Sequence, residues 1–488
     1  VDSWYLTIIV FLPALGALMV ALLPKPSPRQ VKLTSAGFTL VAFVLSVVVF
    51  ALYDRNASGI QFEQVAPWIP AIDSSYHLGV DGLSLPLVVL TTFLGILAVL
   101  VSWKIDLRAR EYFAWLLVLE TGILGVFTAL DMVLFFLFWE VELIPMYMLI
   151  SIWGTGRKEY SAIKFVIYTL IGSALMLAGI LLLYFAREPH SMDMALLQLR
   201  GVTPLFTAIF FLLLVAFAIK LPVVPLHTWL PDAHTDAPTA VSVILAGILL
   251  KMGGYGMIRL CVNFLPDVAR EFALILVIFA VISVLYGAAV TLRQRDFKRL
   301  IAYSSVSHMG YVLLGIFALS TLSLTGASLQ MFSHGVVTGL LFAMVGLVYD
   351  KTHERNLDVL GGLSRQMPVI VVVFSVAGLA SLGLPGTSGF AAEFITFLGS
   401  FTSTQVSYIQ VYTVLGVVGI VITAGYILWM LQKAFYGPPL ERFDGVEDAD
   451  RLEMATIFSF VAAIMLIGIY PAVLTDVIKL GVAPILPW

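Results

Sequence analysis

The chain has a single cysteine, Cys261, among 488 residues, so no internal disulfide can form. One thiol also falls short of the roughly four thiolates that hold an iron–sulfur cluster, and of the clustered Cys and His of a structural zinc site. No P-loop pattern occurs. The nearest thing to a dinucleotide fingerprint, Gly154-Thr-Gly156, runs into Arg157-Lys158-Glu159 without its third glycine. Charge is scarce too: Asp, Glu, Lys and Arg make up 12% of the chain, and the formal net charge is −3. A soluble domain carries about 25% charged residues, and a nucleic-acid binder shows a basic stripe. These absences exclude a soluble enzyme, a disordered protein and a nucleic-acid partner. They also leave the polypeptide without a recognisable site for a redox centre or a nucleotide, so any transport it performs draws on an ion gradient or a partner.

What the chain has is apolar length. Hydrophobic residues are 60% of it, enough for at most about fourteen or fifteen membrane helices at about 20 residues each. Charged and Pro/Gly-rich punctuation divides it into spans at 4–23, 32–53, 83–103, 111–129, 131–152, 161–186, 204–226, 238–261, 269–291, 299–319, 327–349, 369–398, 408–435 and 454–478. The expected fold is therefore an all-α polytopic membrane protein of about fourteen transmembrane helices. The first segment has neither a basic start nor a small-residue cleavage site, so it reads as a retained helix. Residues 54–82, 350–368 and 436–453 are the longest polar stretches. Of the 27 Lys and Arg residues, 19 fall in odd-numbered loops and six, including Arg259, in even-numbered loops and the C-terminus. The positive-inside rule then puts the odd loops in the cytoplasm and both termini outside. The strength of the bias points to a bacterial plasma membrane.

The remaining two basic residues, Lys220 and Lys251, lie inside spans. A lysine at mid-span costs roughly 2.5–3.5 kcal/mol unless it meets water, an acid or the loss of its proton. Lys220 either snorkels to an interface or serves an intramembrane site. The long apolar run before it favours the site. Pro222 and Pro225 follow it and remove backbone donors, so the helix should break there. Broken membrane helices occur where protein or a water-filled cavity satisfies the freed groups, beside ion sites. Lys251 lies about 13 residues into the next span, near mid-bilayer at about 1.5 Å per residue.

Acids answer these bases. Glu140 and Glu142 are two positions apart, about 200° around a helix, so they cannot share a face. Spacing alone leaves open which of them points inward. Glu120, one span earlier, is either functional or part of a structural ion pair. Pro385 and Gly386 break the twelfth span, with Glu393 beyond them. One break in each half, five helices apart, points to two inverted repeats. The corresponding division is residues 1–110 (helices 1–3), 111–261 (first repeat, helices 4–8), 262–435 (second repeat, helices 9–13) and 436–488 (loop and helix 14). His308, His334 and His227 are either proton relays, since imidazole titrates nearest neutrality, or satisfied buried groups. His234, with Asp232, reads as part of a cytoplasmic surface loop. The histidines lie on different spans without ligand-like spacing, so no metal site is expected.

Four phrases carry a family resemblance: Phe138-Trp139-Glu140-Val-Glu142-Leu-Ile-Pro145, Lys220-Leu-Pro-Val-Val-Pro-Leu-His227-Thr-Trp-Leu-Pro-Asp-Ala-His234, Lys298-Arg-Leu-Ile-Ala-Tyr-Ser-Ser-Val-Ser-His308-Met-Gly310 and Gly383-Leu-Pro-Gly-Thr-Ser-Gly-Phe390. The chain resembles the antiporter-like membrane subunits of respiratory complex I, the proton-pumping NADH:quinone oxidoreductase, over essentially all fourteen helices. It looks most like the M-type, because Glu393 stands where L- and N-type subunits carry lysine and no long lateral helix follows span 14. The resemblance implies that Glu140 and Lys220 form the coupled pair, Lys251 the central relay and Glu393 the exit-side acid. It places His308 and His334 on a hydrated axis and leaves Glu142 structural. It further implies L-type and N-type neighbours and a hydrophilic redox arm, with flavin, iron–sulfur clusters, NADH and quinone on those partners and no cofactor on this chain. Subunits of multi-subunit cation/proton antiporters and membrane-bound hydrogenases share the Lys220 region. A self-contained secondary transporter is the remaining alternative.

Overall fold

The computed structural model describes residues 4–194 and 198–486. It is helical nearly throughout. Twelve helices among the described residues are long and apolar enough to cross a membrane, and two shorter apolar ones, Pro204–Lys220 and Pro368–Ser381, end at breaks. Helices occupy all fourteen expected spans. The first half runs α1 (Tyr5–Leu22), α2 (Pro28–Leu52), α3 (Ser84–Val101), α4 (Ala109–Thr128), α5 (Met132–Val141), α6 (Leu143–Trp153), α7 (Lys158–Phe185), α8 (Pro204–Lys220), α9 (Trp229–Asp236), α10 (Thr239–Ile244) and α11 (Leu250–Gly256). The second half continues with α12 (Pro266–Thr291), α13 (Phe297–Phe317), α14 (Thr321–Thr352), α15 (Pro368–Ser381), α16 (Ser388–Phe401), α17 (Ile409–Phe435), α18 (Arg451–Ile469) and α19 (Ala472–Val482).

Local chemistry sets the starts. Ser27 and Gln30 close a capping box on α2 with Pro28 at its first position, and Asp450 with Glu453 does the same for α18. Asp131, Thr203 and Asp296 cap α5, α8 and α13 through backbone amides. The helix ends are set by Pro and Gly. Gly383 and Gly386 take positive φ of 78° and 92° between α15 and α16, a conformation that costs glycine little.

Three expectations need correction. Residues 54–82 contain a hairpin, β1 (Gln61–Ile69) and β2 (Ser74–Val80), paired antiparallel with Ala66 opposite Tyr76. Its short strands alternate poorly, so period-2 reading passes over them. The span at 454–478 breaks at Tyr470–Pro471 into α18 and α19. Arg259, counted among loop residues, sits inside the helical stretch Met257–Val262 and is buried.

Burial is graded across the bundle. The 239–262 stretch, α13 and α14 are almost wholly enclosed by protein, while α2 and α18 turn most of their surface outward. Basic residues of the odd loops pair with acids of other odd loops: Lys32 with Asp106, Lys104 and Lys351 with Glu453, Lys164 with Asp232, Arg295 with Asp358, Arg355 with Asp296. Those loops therefore share one end of the bundle.

Candidate proton-transfer site

Lys220 is the final residue of α8, where the helix carbonyls favour a cation. Its Nζ contacts Glu142 Oε1, and each side chain is only 2% exposed. The rings of Trp139 and Phe165 lie 5.6 and 5.4 Å from the ammonium and add cation–π attraction. The break beyond it is internally satisfied: Trp229 Nε1 donates to Ile219 O at 2.9 Å, and Val224 N donates to Ser283 Oγ at 3.1 Å. Such satisfaction lets irregular backbone persist within a membrane.

The contact falls on Glu142, whereas the sequence resemblance assigned it to Glu140. The physical reason is the interruption of the span: α5 stops at Val141 and α6 starts at Leu143, with Glu142 in the turn between them. Ideal helical phase is lost there. Glu140 is half-buried, and its Oε1 has no hydrogen-bond partner.

The second cluster is deeper. Lys251 lies between two π-helical stretches, Leu245–Leu249 and Met257–Val262, a distortion that often marks functional helices. Its Nζ donates to Ala246 O and sits 2.7 Å from His334 Nδ1. The His334 and His308 rings are 5.6 Å apart. His308 Nδ1 lies 3.4 Å from Glu393 Oε1, and its Nε2 lies 3.3 Å from Ser381 Oγ. A cavity of about 10 Å³ among His308, Gln330, His334 and Glu393 is close to the volume of one water. His334 Nε2 and Gln330 Oε1 lack protein partners. The order Lys251, His334, His308, Glu393 is a chain of exchangeable protons at short range, carried on four different spans.

The other singled-out residues fall outside these clusters. His227 is buried, edge-on to Tyr286 and Tyr303, with Nδ1 unpartnered. Glu120 is buried and makes no ion pair among the described residues. Its carboxylate instead lies against Gly95, where a Cβ would come within 2.4 Å of it. Pro222 and Pro225 fall in the break after α8, and Pro385 and Gly386 in that after α15. No group of three or more potential metal ligands occurs among the described residues.

Sequence reasoning missed three groups. His234, read as a surface residue, is fully buried, stacks on Phe342 at 4.5 Å, and has neither ring nitrogen bonded. Lys298, read as a loop cation, is buried and donates to Ala237 O at 2.6 Å, beside a cavity of about 290 Å³ that Asp350 also lines. For Gln330, the four-residue spacing to His334 was a usable signal, because it places both on one helix face.

Residues 129–423 match the family described as NADH:quinone oxidoreductase/Mrp antiporter, transmembrane. NAD(P)H-quinone oxidoreductase chain 4 of Gloeobacter violaceus is 42% identical over 479 residues, covering 97% of this chain and 90% of that one. A chain 4 of Thermosynechococcus vestitus is 41% identical over 483 residues, covering 97% and 91%. In solved structures, a chain of respiratory complex I from Thermus thermophilus superposes with a TM-score of 0.89 at 27% identity, covering 99% of this chain and all of that one. A chain of the Mrp complex from Dietzia reaches 0.89 at 20% identity, covering 100% and 98%, and shares the fold. The match across well over half its length, together with those relatives, makes this chain a member of the NADH:quinone oxidoreductase/Mrp antiporter transmembrane family.

Proposed function

We propose that the chain is a proton-translocating membrane-arm subunit of NADH:quinone oxidoreductase. The observation that carries the reading is the close succession of proton-exchanging groups from Lys251 to Glu393, with the His334 and His308 rings 5.6 Å apart, through the enclosed centre of the bundle. The chain-4 relatives at 40% identity and above supply the electron-transfer context. In this reading an ionised carboxylate beside Lys220 keeps the ammonium charged. When the pair separates, the ammonium loses its counter-charge and releases its proton toward Lys251, from which it passes through His334 and His308 to Glu393. Moving one charge against about 100 mV costs roughly 2.3 kcal/mol, so the drive comes from redox chemistry on partners. Flavin, iron–sulfur clusters, NADH and quinone are assigned to a hydrophilic arm, with L-type and N-type subunits as membrane neighbours.

Inverted repeats fit the same geometry. Lys220 of the seventh span contacts Glu142 of the fifth, and Glu393 of the twelfth approaches His308 of the tenth. The offset of five spans recurs with acid and base exchanged. The paired odd-loop charges support a cytoplasmic face at that end of the bundle, with both described ends of the chain outside, in a bacterial plasma membrane.

An ion-driven cation/proton antiporter subunit is the second reading, favoured by the fold shared with the Mrp chain. Gentle-detergent purification from the native membrane, with NADH:quinone activity and subunit identification on the same particle, decides between them. Activity with a flavin-containing arm is expected. A hydrophobic assembly without flavin or iron–sulfur would replace the first reading by the second.

A further inference from the structure

The helix that carries Lys251 holds another charged group, one the relay does not use. Arg259 stands about two turns further along it, in the π-helical stretch Met257–Val262. Its Nη2 donates to Asp81 Oδ2 at 2.6 Å, and both side chains are less than a tenth exposed. Its Nε donates to Tyr255 Oη at 3.3 Å, and the guanidinium lies 5.4 Å over the Tyr255 ring. Lys251, Tyr255 and Arg259 are spaced four apart, so they follow one face of the helix. Asp81 is gripped from the opposite side, where its Oδ1 accepts from Leu83 N at 3.0 Å and Ser84 N at 2.9 Å.

Beyond the pair opens a cavity of about 520 Å³, lined by Asp81, Arg259, Gln198, Asn263, Leu480 and Gly481. Helix α19 walls one side of it. Gly82 and Gly481 meet so closely that a Cβ on either would strike the other's backbone. The cavity lies at the end of the bundle opposite the paired odd loops, the outer face in the orientation given above.

Two properties make arginine a barrier here. A guanidinium keeps its proton at any physiological pH, so it cannot join a proton hop. Its positive charge at the inner wall of the cavity repels an incoming cation, the way an arginine excludes protons from other pores. Burying it is tolerable because Asp81 and the Tyr255 hydroxyl offset the lost hydration. We propose that the Arg259–Asp81 pair is an outer seal, which separates Lys251 from the cavity and blocks the return of protons to the relay. This rests on the proton-translocation reading of Lys251. The competing account is a purely structural brace between this helix and the start of α3.

A passive leak separates the two. The complex containing the chain is reconstituted in liposomes and given an acid outer face with no electron donor, and proton inflow is followed with a trapped pH dye. Arg259→Gln removes the barrier and leaves Asp81 at the cavity without its cationic partner. Inflow is expected to rise on the order of tenfold, the effect of one unit charge at about 12 Å with an effective dielectric of about 20. Adding Lys251→Ala to Arg259→Gln is expected to return inflow to the wild-type level, because the leak runs through Lys251. A misfolded subunit would leak with or without that lysine. If Arg259→Gln does not assemble, Arg259→Gln with Asp81→Asn keeps a hydrogen-bonding pair in place and tests the loss of the guanidinium, with a Lys251-dependent rise in inflow of less than about tenfold expected because the net charge is unchanged. Unchanged inflow in an assembled variant overturns the seal, and so does a leak that survives Lys251→Ala. Since no turnover is involved, failure of the seal is distinguishable from failure of the pump reading, which turnover-driven pumping tests.

Discussion

Replacing Lys220 with methionine separates what the buried ion pair does for the fold from what it does for transport. The substitution keeps most of the side-chain volume but strands the Glu142 carboxylate, 2% exposed and with no partner for Oε2. Removing one member of a buried pair costs about 3–5 kcal/mol. The stranded acid has an escape, which is to take up a proton. Neutralising an ordinary carboxyl of pKa about 4.3 at pH 7 costs about 3.7 kcal/mol. The escape sets the ceiling, so Lys220→Met should destabilise the subunit by about 3–4 kcal/mol. Adding Glu142→Gln removes the stranded charge, and replacing both charges by packed neutral groups is often close to neutral. Most of the stability is therefore expected to return in the double variant. Proton pumping is not, since the proton-binding amine is gone. The assay reads two things on the purified complex: the fraction intact after graded heating, and the dye-detected gradient in liposomes during quinone reduction. A single variant as heat-stable as wild type would refute the energetic argument. A double variant that pumps at the wild-type ratio would refute the role of Lys220.

Glu140 and Glu142 should also part company. Glu142→Gln is expected to lose both heat stability and pumping, whereas Glu140→Gln, which breaks no direct contact, should lower pumping in a complex of normal heat stability. Equal heat lability of the two variants would contradict the geometry. Glu393→Gln can still accept from His308 Nδ1, so assembly should hold while pumping falls more than about tenfold, the effect of about 1.4 kcal/mol; full pumping would remove Glu393 from the route. On the hairpin, burial alone would lower the pKa of His77, but the Asp193 carboxylate 3.6 Å from its Nδ1 and the Glu63 carboxylate hydrogen-bonded to its Nε2 outweigh it and raise the pKa above 6.5. A group raised on folding adds stability that is complete below its unfolded pKa of about 6.5 and is lost as pH climbs through the folded value. Hydrogen exchange over residues 61–80 should therefore be slower at pH 6 than at pH 8, beyond the intrinsic rate change, and His77→Gln should abolish the difference. An unchanged pH dependence in that variant would place the effect elsewhere.

Much of this protein was readable from composition and spacing because a bilayer is a strict solvent. An unbroken apolar run of span length has few alternatives to a helix, so α1, α2, α7, α12 and α17 were legible from hydrophobicity alone. Intramembrane charges are costly enough that Lys220, Lys251 and Glu393 stood out without a structure. The prolines at 222, 225 and 385 announced the two breaks by removing donors. The hairpin at 61–80 was not readable, since it lies in a polar stretch where no strong periodicity competes with loop.

What only the tertiary structure decided was partnership. Sequence named the charges but not which of them touch, because contact depends on helix phase, and phase fails wherever a helix is interrupted. The turn at Glu142 set that acid, not Glu140, against Lys220, and packing set His334 against Lys251 and Asp81 against Arg259. Burial was the other decision. His234, Lys298 and Arg259 look like ordinary loop or surface residues in the sequence, and become enclosed only when distant helices close over them. The sequence by itself determined a multi-span helical membrane protein with misplaced charges at mid-depth. The packing of those helices brought the charges into one contacting pair, one buried Lys–His–His–Glu cluster and one Arg–Asp pair beside a cavity.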